Sequence, residues 1–253
     1  MLKFSPANSK LKILEAKTGK KVYSFSLLSG HACPFANECF SKVVNRKVVD
    51  GPNTKFRCFS ASQEATFPKT FDARESNFNL IKAEKGNVKG LSKLISTSLP
   101  SKAEIIRIHI GGDFYTQNYF DAWLDVAKST PDINFYAYTK SLSFWVARKN
   151  QIPNNLTLTA SYGGKLDKLI GQHRLRKAVV IHDSKTCQAI VDSEDFDIIP
   201  CGKYKGYEID HDDSHAYDPK LKNKSFALLV HNIMPKNSEA SKAVQILNGV
   251  GSY

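Results

Sequence analysis

Three cysteines, Cys33, Cys39 and Cys58, fall close together in a chain that carries only five. Thiolate sulfur is a soft metal ligand, and ligand bonds can order a segment that buries too little apolar surface to order itself. A second group, Gly111-Gly112-Asp113, directly follows the apolar run Ile106-Arg-Ile-His-Ile110, while Lys140 and Ser161 each end a later run of the same kind. Glycine pairs at such ends let a ligand approach the backbone, and polar side chains beside them supply orientation. A third concentration, Glu208-Ile-Asp-His-Asp-Asp-Ser-His215, joins carboxylates to the imidazoles of His211 and His215. That set suits a hard divalent cation, an acid/base pair, or a polar loop whose aspartates cap Ser214 to Tyr217.

The cysteine spacing is C-x5-C-x18-C, which no common metal motif has. Lys55 and Arg57 lie just before Cys58, and their positive charge would favour its thiolate. The trio therefore reads as a metal or cluster site, with zinc completed by His31 or a fourth cysteine as one form of it. His211 or His215 becomes a non-cysteine ligand if its loop folds over the same place. Cys187 and Cys201 read instead as small buried hydrophobes.

These residues need elements to hold them. Leu11 to Ala16 and Val22 to Leu28, flanking Thr18-Gly-Lys-Lys21, suggest a β ribbon. Periodicity then fails from Gly30 to about Phe71, the segment that contains the three cysteines. Helical patterns cover 71–81 and 88–99, and from Ser101 strands and helices alternate. Candidate strands are 104–110, 134–138, 156–160, 178–182, 196–200 and 225–231, and the helix after the glycine pair carries Tyr119, Phe120, Trp123, Val126 and Ala127 at helical spacing. Alternation of this kind implies parallel strands with right-handed crossovers. The expected fold is an α/β, partial or complete parallel βα barrel, with the irregular cysteine segment across its mouth.

One domain over 1–253 is the simplest organisation, with ribbon, cysteine loop and helices in 1–100 and the barrel-like core in 101–253. In such a barrel the carboxyl ends of the strands carry the polar residues of the mouth, here His109, Asp113, Thr139, Lys140, Ser161, His182 and His231. Strict alternation puts Ile106, Ile108 and Ile110 toward the helices and Arg107 and His109 inside. A buried arginine there needs a partner, in an internal ion pair or a ligand.

Composition narrows the function classes. At 42% hydrophobic and 24% charged the chain resembles an ordinary soluble domain, and no run approaches the roughly 20 apolar residues of a membrane span. The amino terminus has no secretory pattern, so reduced thiols are expected. A net charge of +12 admits nucleic acid as a partner, although the lysines are scattered without interleaved aromatics and read as solvated. No P-loop, nucleophile elbow or HExxH pattern occurs, which disfavours phosphoryl transfer, serine hydrolysis and zincin chemistry.

A strand ending in Gly-Gly-Asp113, then a helix, then a strand ending in Thr139-Lys140 resembles the Gly-Gly-Glu strand of S-adenosylmethionine radical enzymes. The resemblance implies a [4Fe-4S] cluster on Cys33, Cys39 and Cys58. It also implies S-adenosylmethionine as a further cofactor, held by Gly111, Gly112 and Asp113 with Lys140 and Ser161 beside them. The chain departs from that superfamily in the cysteine spacing and in Asp113, which is one methylene shorter than glutamate. Nearly end to end, through Gly30-His-Ala-Cys-Pro34, Phe56-Arg-Cys-Phe59, Ala61-Ser-Gln-Glu64, His109-Ile-Gly-Gly-Asp113, Tyr136-Ala-Tyr-Thr-Lys-Ser141, Leu158-Thr-Ala-Ser161 and Ile209-Asp-His-Asp-Asp213, it is similar to a bacteriophage family called gene product eighty-eight. That similarity implies the cytoplasm of an infected host cell as the setting, and brings no reaction or substrate with it. Two classes stay open: an iron–sulfur protein on a radical-enzyme-like barrel, redox or catalytic, and a basic nucleic-acid-binding protein with structural cysteines or a structural zinc.

Overall fold

The computed structural model describes residues 1–181, 198–199, 213–221, 224–230, 234, 237–238 and 240–242. Its frame is a sheet of eight strands. These are β1 (Ser5–Pro6), β2 (Val22–Phe25), β5 (Ile105–Ile108), β6 (Asn134–Thr139), β7 (Leu156–Ser161), β8 (Lys177–Ile181), β9 (Ile198–Ile199) and β10 (Ser225–Leu229), in the order β1-β2-β5-β6-β7-β8-β10-β9. Seven of them run parallel, and β1 adds to the β2 edge antiparallel. The predicted parallel α/β core is therefore present. Closure into a barrel is not: among the described residues β1 and β9 are the two ends of the sheet and have no pairing to each other.

The two faces of the sheet differ in chemistry. Ile106, Ile108, Phe135, Ala137, Leu156 and Leu158 pack together with α3 (Pro68–Ala83), α4 (Val88–Ser96) and α5 (Gln117–Ser129) through Ile81, Leu91, Ile95 and the fully buried Trp123. Ala160 continues that face against Leu142 of α6 (Leu142–Ala147) and Ile170 of α7 (Lys168–His173). On the other face Ile105, Tyr136, Ala178 and Phe226 meet Leu11 and Leu14 of α1 (Ser9–Thr18) and Ala216 of α8 (Ser214–Tyr217). Helix α1 thus lies against the face that would line a barrel.

Two local expectations are corrected. Residues 9–18 form a helix, where the sequence suggested the first strand of a ribbon. Asn8 accepts from Leu11 N at 3.0 Å as its N-cap, Leu11 and Leu14 are buried at helical spacing, and Gly19, left-handed at φ +69°, ends it. Nor is 30–71 wholly irregular. It contains a hairpin of β3 (Ser41–Val44) and β4 (Lys47–Asp50), turned by Asn45 and Arg46 at φ +49° and +62°, and the helix α2 (Phe59–Thr66). Two consecutive left-handed residues make the primed turn that matches strand twist.

A third correction concerns the end of β5. His109 has φ +64°, which breaks the alternation of the strand. Its ring turns to the helix side, between Phe25, Phe114 and Tyr119, while Ile110 packs on the opposite face. Arg107 does point inward and is paired there with Asp213, which also accepts from Tyr136 Oη at 2.8 Å.

Candidate functional site

The residues around the glycine pair converge at the carboxyl ends of β5, β6 and β7. Gly112 lies at φ +80°, and a Cβ on it would sit 2.7 Å from Leu27 Cβ. A Cβ on Gly111 would fall 2.2 Å from Ser60 Oγ. Both glycines are therefore required by close packing of this turn against Leu27, just past β2, and Ser60 of α2. Asp113, buried, accepts from Thr139 Oγ1 at 2.6 Å and its neighbour Phe114 N at 2.7 Å through Oδ1, and from Lys140 N at 2.8 Å through Oδ2. Lys140 Nζ in turn donates to Ser161 Oγ at 2.6 Å and to the Tyr162 carbonyl at 3.0 Å. Asp113, Lys140 and Ser161 thus form one chain of hydrogen bonds in which each satisfies the next.

Burial controls the titration of this region. Loss of solvent pushes the Asp113 carboxyl up to about 6, against the downward pull of Thr139, Lys140 and Phe114. The same cause pushes His109 down to about 3, so its ring is neutral at pH 7. Its Nε2 lies 2.9 Å from Tyr119 Oη, and its buried Nδ1 has no hydrogen-bond partner. His109 is a core residue of the turn.

The cysteine segment meets these strand ends through its backbone. Asp113 N donates to the Ala32 carbonyl at 3.1 Å, Glu38 N to Gly163 O at 3.0 Å, and Lys165 N to Phe35 O at 2.9 Å. Ser41 joins the three cysteines. Its carbonyl closes on Gly30, whose amide lies 3.3 Å from Cys33 Sγ; its hydroxyl accepts from Cys58 N at 3.2 Å; and Cys39 precedes it by two residues. Cys39 packs with Phe56, Val230 and Met234. All three thiols are free.

Electrostatics shows the same convergence. Burial pushes the Cys33 thiol up, and the charges of Asp113, Cys58 and Cys39 add to that. Cys58 is raised to about 11 by burial and by Cys39, with a smaller contribution from Glu64, while the amides of Ala61 and Ser60 at the start of α2 pull it down. Without a cation the thiols of Cys33 and Cys58 stay protonated. Among the described residues no three His, Cys, Asp or Glu side chains are already gathered tightly enough to share one metal ion.

Sequence reasoning passed over Glu64. It is fully buried, and its Oε1 takes three donors: Ser29 N at 3.0 Å, Ser29 Oγ at 2.8 Å and Arg74 Nη1 at 2.9 Å. Its Oε2 is buried and has none. An acid in the middle of an alanine- and serine-containing helix gave no periodic signal of burial. Its place six residues after Cys58 was the available clue.

Among the described residues, His215 does not join the cysteines. His215 lies against Phe226 and offers its carbonyl to Arg176, near where β8 and β10 begin. Val180 and Val230, which pack near Cys39, are at the other end of those strands. His182, Cys187, Cys201, the 208–212 stretch with His211, and His231 lie outside the described residues.

Among the described residues no helix is long and apolar enough to cross a membrane. No solved structure matches the chain. Over 55 residues the chain is 38% identical to the Gene 88 protein of Mycobacterium phage L5, a stretch that is 22% of this chain and 23% of that protein. The family model described as Gene product 88 matches residues 2–244, nearly the whole chain, and the protein belongs to that bacteriophage family.

Proposed function

We propose that this is a phage metalloprotein in which Cys33, Cys39 and Cys58 hold a [4Fe-4S] cluster against the carboxyl ends of the parallel strands. The observation that carries the reading is that the backbone around Ser41 brings together three free cysteines separated in sequence. The upward push that neighbouring cysteines add to burial at Cys33 and at Cys58 supports it. Thiols that repel one another's charge when metal-free bind a cation with release of protons, because the metal replaces the repulsion with attraction. The cluster supplies electron-transfer chemistry, or activation of S-adenosylmethionine where that cofactor binds. Gly111, Gly112, Asp113, Lys140 and Ser161 form the neighbouring wall. With both Asp113 oxygens bonded within the chain, that wall offers packing and backbone more than a free carboxylate.

Anaerobic production with iron supplied is the direct test. Brown protein carrying about four irons per chain, bleached by alanine at any of the three cysteines, is the expected result. Equimolar zinc with no visible absorption identifies a structural zinc site in place of the cluster. Metal-free protein whose triple-alanine variant is equally soluble and folded, under every metal supplied, overturns the metal centre and leaves the basic nucleic-acid-binding reading, tested by salt-dependent binding.

A further inference from the structure

The bare oxygen of Glu64 needs an explanation, because a fully buried carboxylate oxygen without a donor is costly. The neighbouring oxygen is crowded with three donors, so the carboxylate as a whole is held firmly in one orientation. That orientation is tied to the cysteines through consecutive amides: Ser29 N binds Glu64 Oε1, and the next amide, Gly30 N, lies 3.3 Å from Cys33 Sγ. One turn of chain therefore fixes the carboxylate and the first thiol together. Glu64 shares helix α2 with Cys58, which caps its start.

We infer that Glu64 is the oxygen ligand of the metal centre, completing the coordination that Cys33, Cys39 and Cys58 begin. The inference rests on the metal-centre reading. Asp113, the buried acid near Cys33, already has protein donors on both oxygens, whereas Glu64, the one near Cys58, has an oxygen left over. Arg74 holds Glu64 Oε1 and itself donates to Ser60 and Gln63, so it braces the ligand from behind. This is the outer hydrogen bonding that orients metal-bound carboxylates. The four side chains are not gathered around one point in the metal-free chain, so a metal has to draw them in; three thiolates and a carboxylate would then form a four-coordinate donor set for zinc or for cobalt(II) as its probe, and for a cluster the carboxylate would serve the iron that lacks a cysteine.

The test is an anaerobic cobalt(II) titration of the purified full chain, followed by its visible spectrum, for the wild type, Glu64→Gln and Glu64→Asp. Glutamine keeps an acceptor for Ser29 and removes the anionic donor. Aspartate keeps the charge beside Arg74 and retracts it by one methylene. Binding is expected to weaken about 100-fold or more in Glu64→Gln and less in Glu64→Asp, with the cobalt ligand-field bands shifted and the thiolate charge-transfer intensity retained. Wild-type affinity and an unshifted spectrum in folded Glu64→Gln, or in Glu64→Asp should the glutamine variant not fold, overturn the assignment of Glu64 alone. Failure of the wild type to bind cobalt, and equally iron with sulfide, overturns the metal centre itself and this ligand with it.

Discussion

The glycine turn after β5 and the cysteine segment touch at the hydrogen bond from Asp113 to Ala32, yet they are ordered by opposite means. Around the turn, aromatic rings do the work: His109 sits among Phe25, Phe114 and Tyr119, with Trp123 behind them. Its charged groups, Asp113 and Lys140, are satisfied within the chain, and the two atoms left without a partner, His109 Nδ1 and Trp123 Nε1, are uncharged and buried among those rings. The cysteine segment is knitted by backbone bonds such as Lys55 N to Glu38 O at 2.7 Å and Gly51 N to Phe40 O at 2.7 Å. There the leftover groups accumulate: three free thiols and one bare carboxylate oxygen. The difference teaches that conspicuous polarity near a strand end can be structural, while the proposed metal site rests on the quieter segment that keeps its thiols and one carboxylate oxygen unengaged.

The contrast can be broken most strongly at the aromatic core. Trp123→Ala is expected to destabilise the protein by about 3–5 kcal/mol, read from urea midpoints, with metal binding per folded chain unchanged. A loss below about 1 kcal/mol would mean that the turn is not ordered by that core.

The next effect is opposed titration within the turn. Asp113 has a folded pKa of about 6, above its unfolded value, so the folded state holds the extra proton and stability falls as pH rises from about 4 to 6. His109, at about 3, is neutral when folded and protonated when unfolded, so stability rises with pH over the same range. The two nearly cancel in the wild type. Asp113→Asn should expose a rise, and His109→Gln a fall, each of about 2 kcal/mol between pH 4 and 6. Slopes of the same sign in the two variants would refute the assignment. The smallest effect belongs to the metal-free cysteine segment, where joint replacement of Cys33, Cys39 and Cys58 by alanine should move the thermal midpoint by the equivalent of about 1 kcal/mol or less. A larger loss without metal would show that the thiols already carry the packing of the loop.

The strands of the core were legible because each is a short apolar run bounded by turn residues, and every one from 105 to 229 falls within or beside its expected range. Helix α1 was misread because Leu11, Ile13 and Val22 also fit a ribbon, and only the pairing of Asn8 with Gly19 marks the helix ends. The hairpin was overlooked although Val43-Val44 and Val48-Val49 flank its turn, since the turn uses Asn45-Arg46 where Asn-Gly is the common signal. At the candidate site, Asp113, Lys140 and Ser161 were placed together correctly, but sequence does not reveal that they satisfy one another. The reversal of His109 depends on one backbone angle, which no side-chain pattern encodes.

The strand order also sets a schedule for assembly. From β2 through β8 each new parallel strand joins beside one already made, so a chain leaving the ribosome can extend the sheet from one edge as it emerges. At β9 that simple order stops. Among the described strands β9 pairs only with β10, which is synthesised later and must enter between β8 and β9. Until residues 225–229 arrive, the open edge of β8 remains available to other chains, so the interval between synthesis of β8 and β10 is when this protein is most exposed to aggregation.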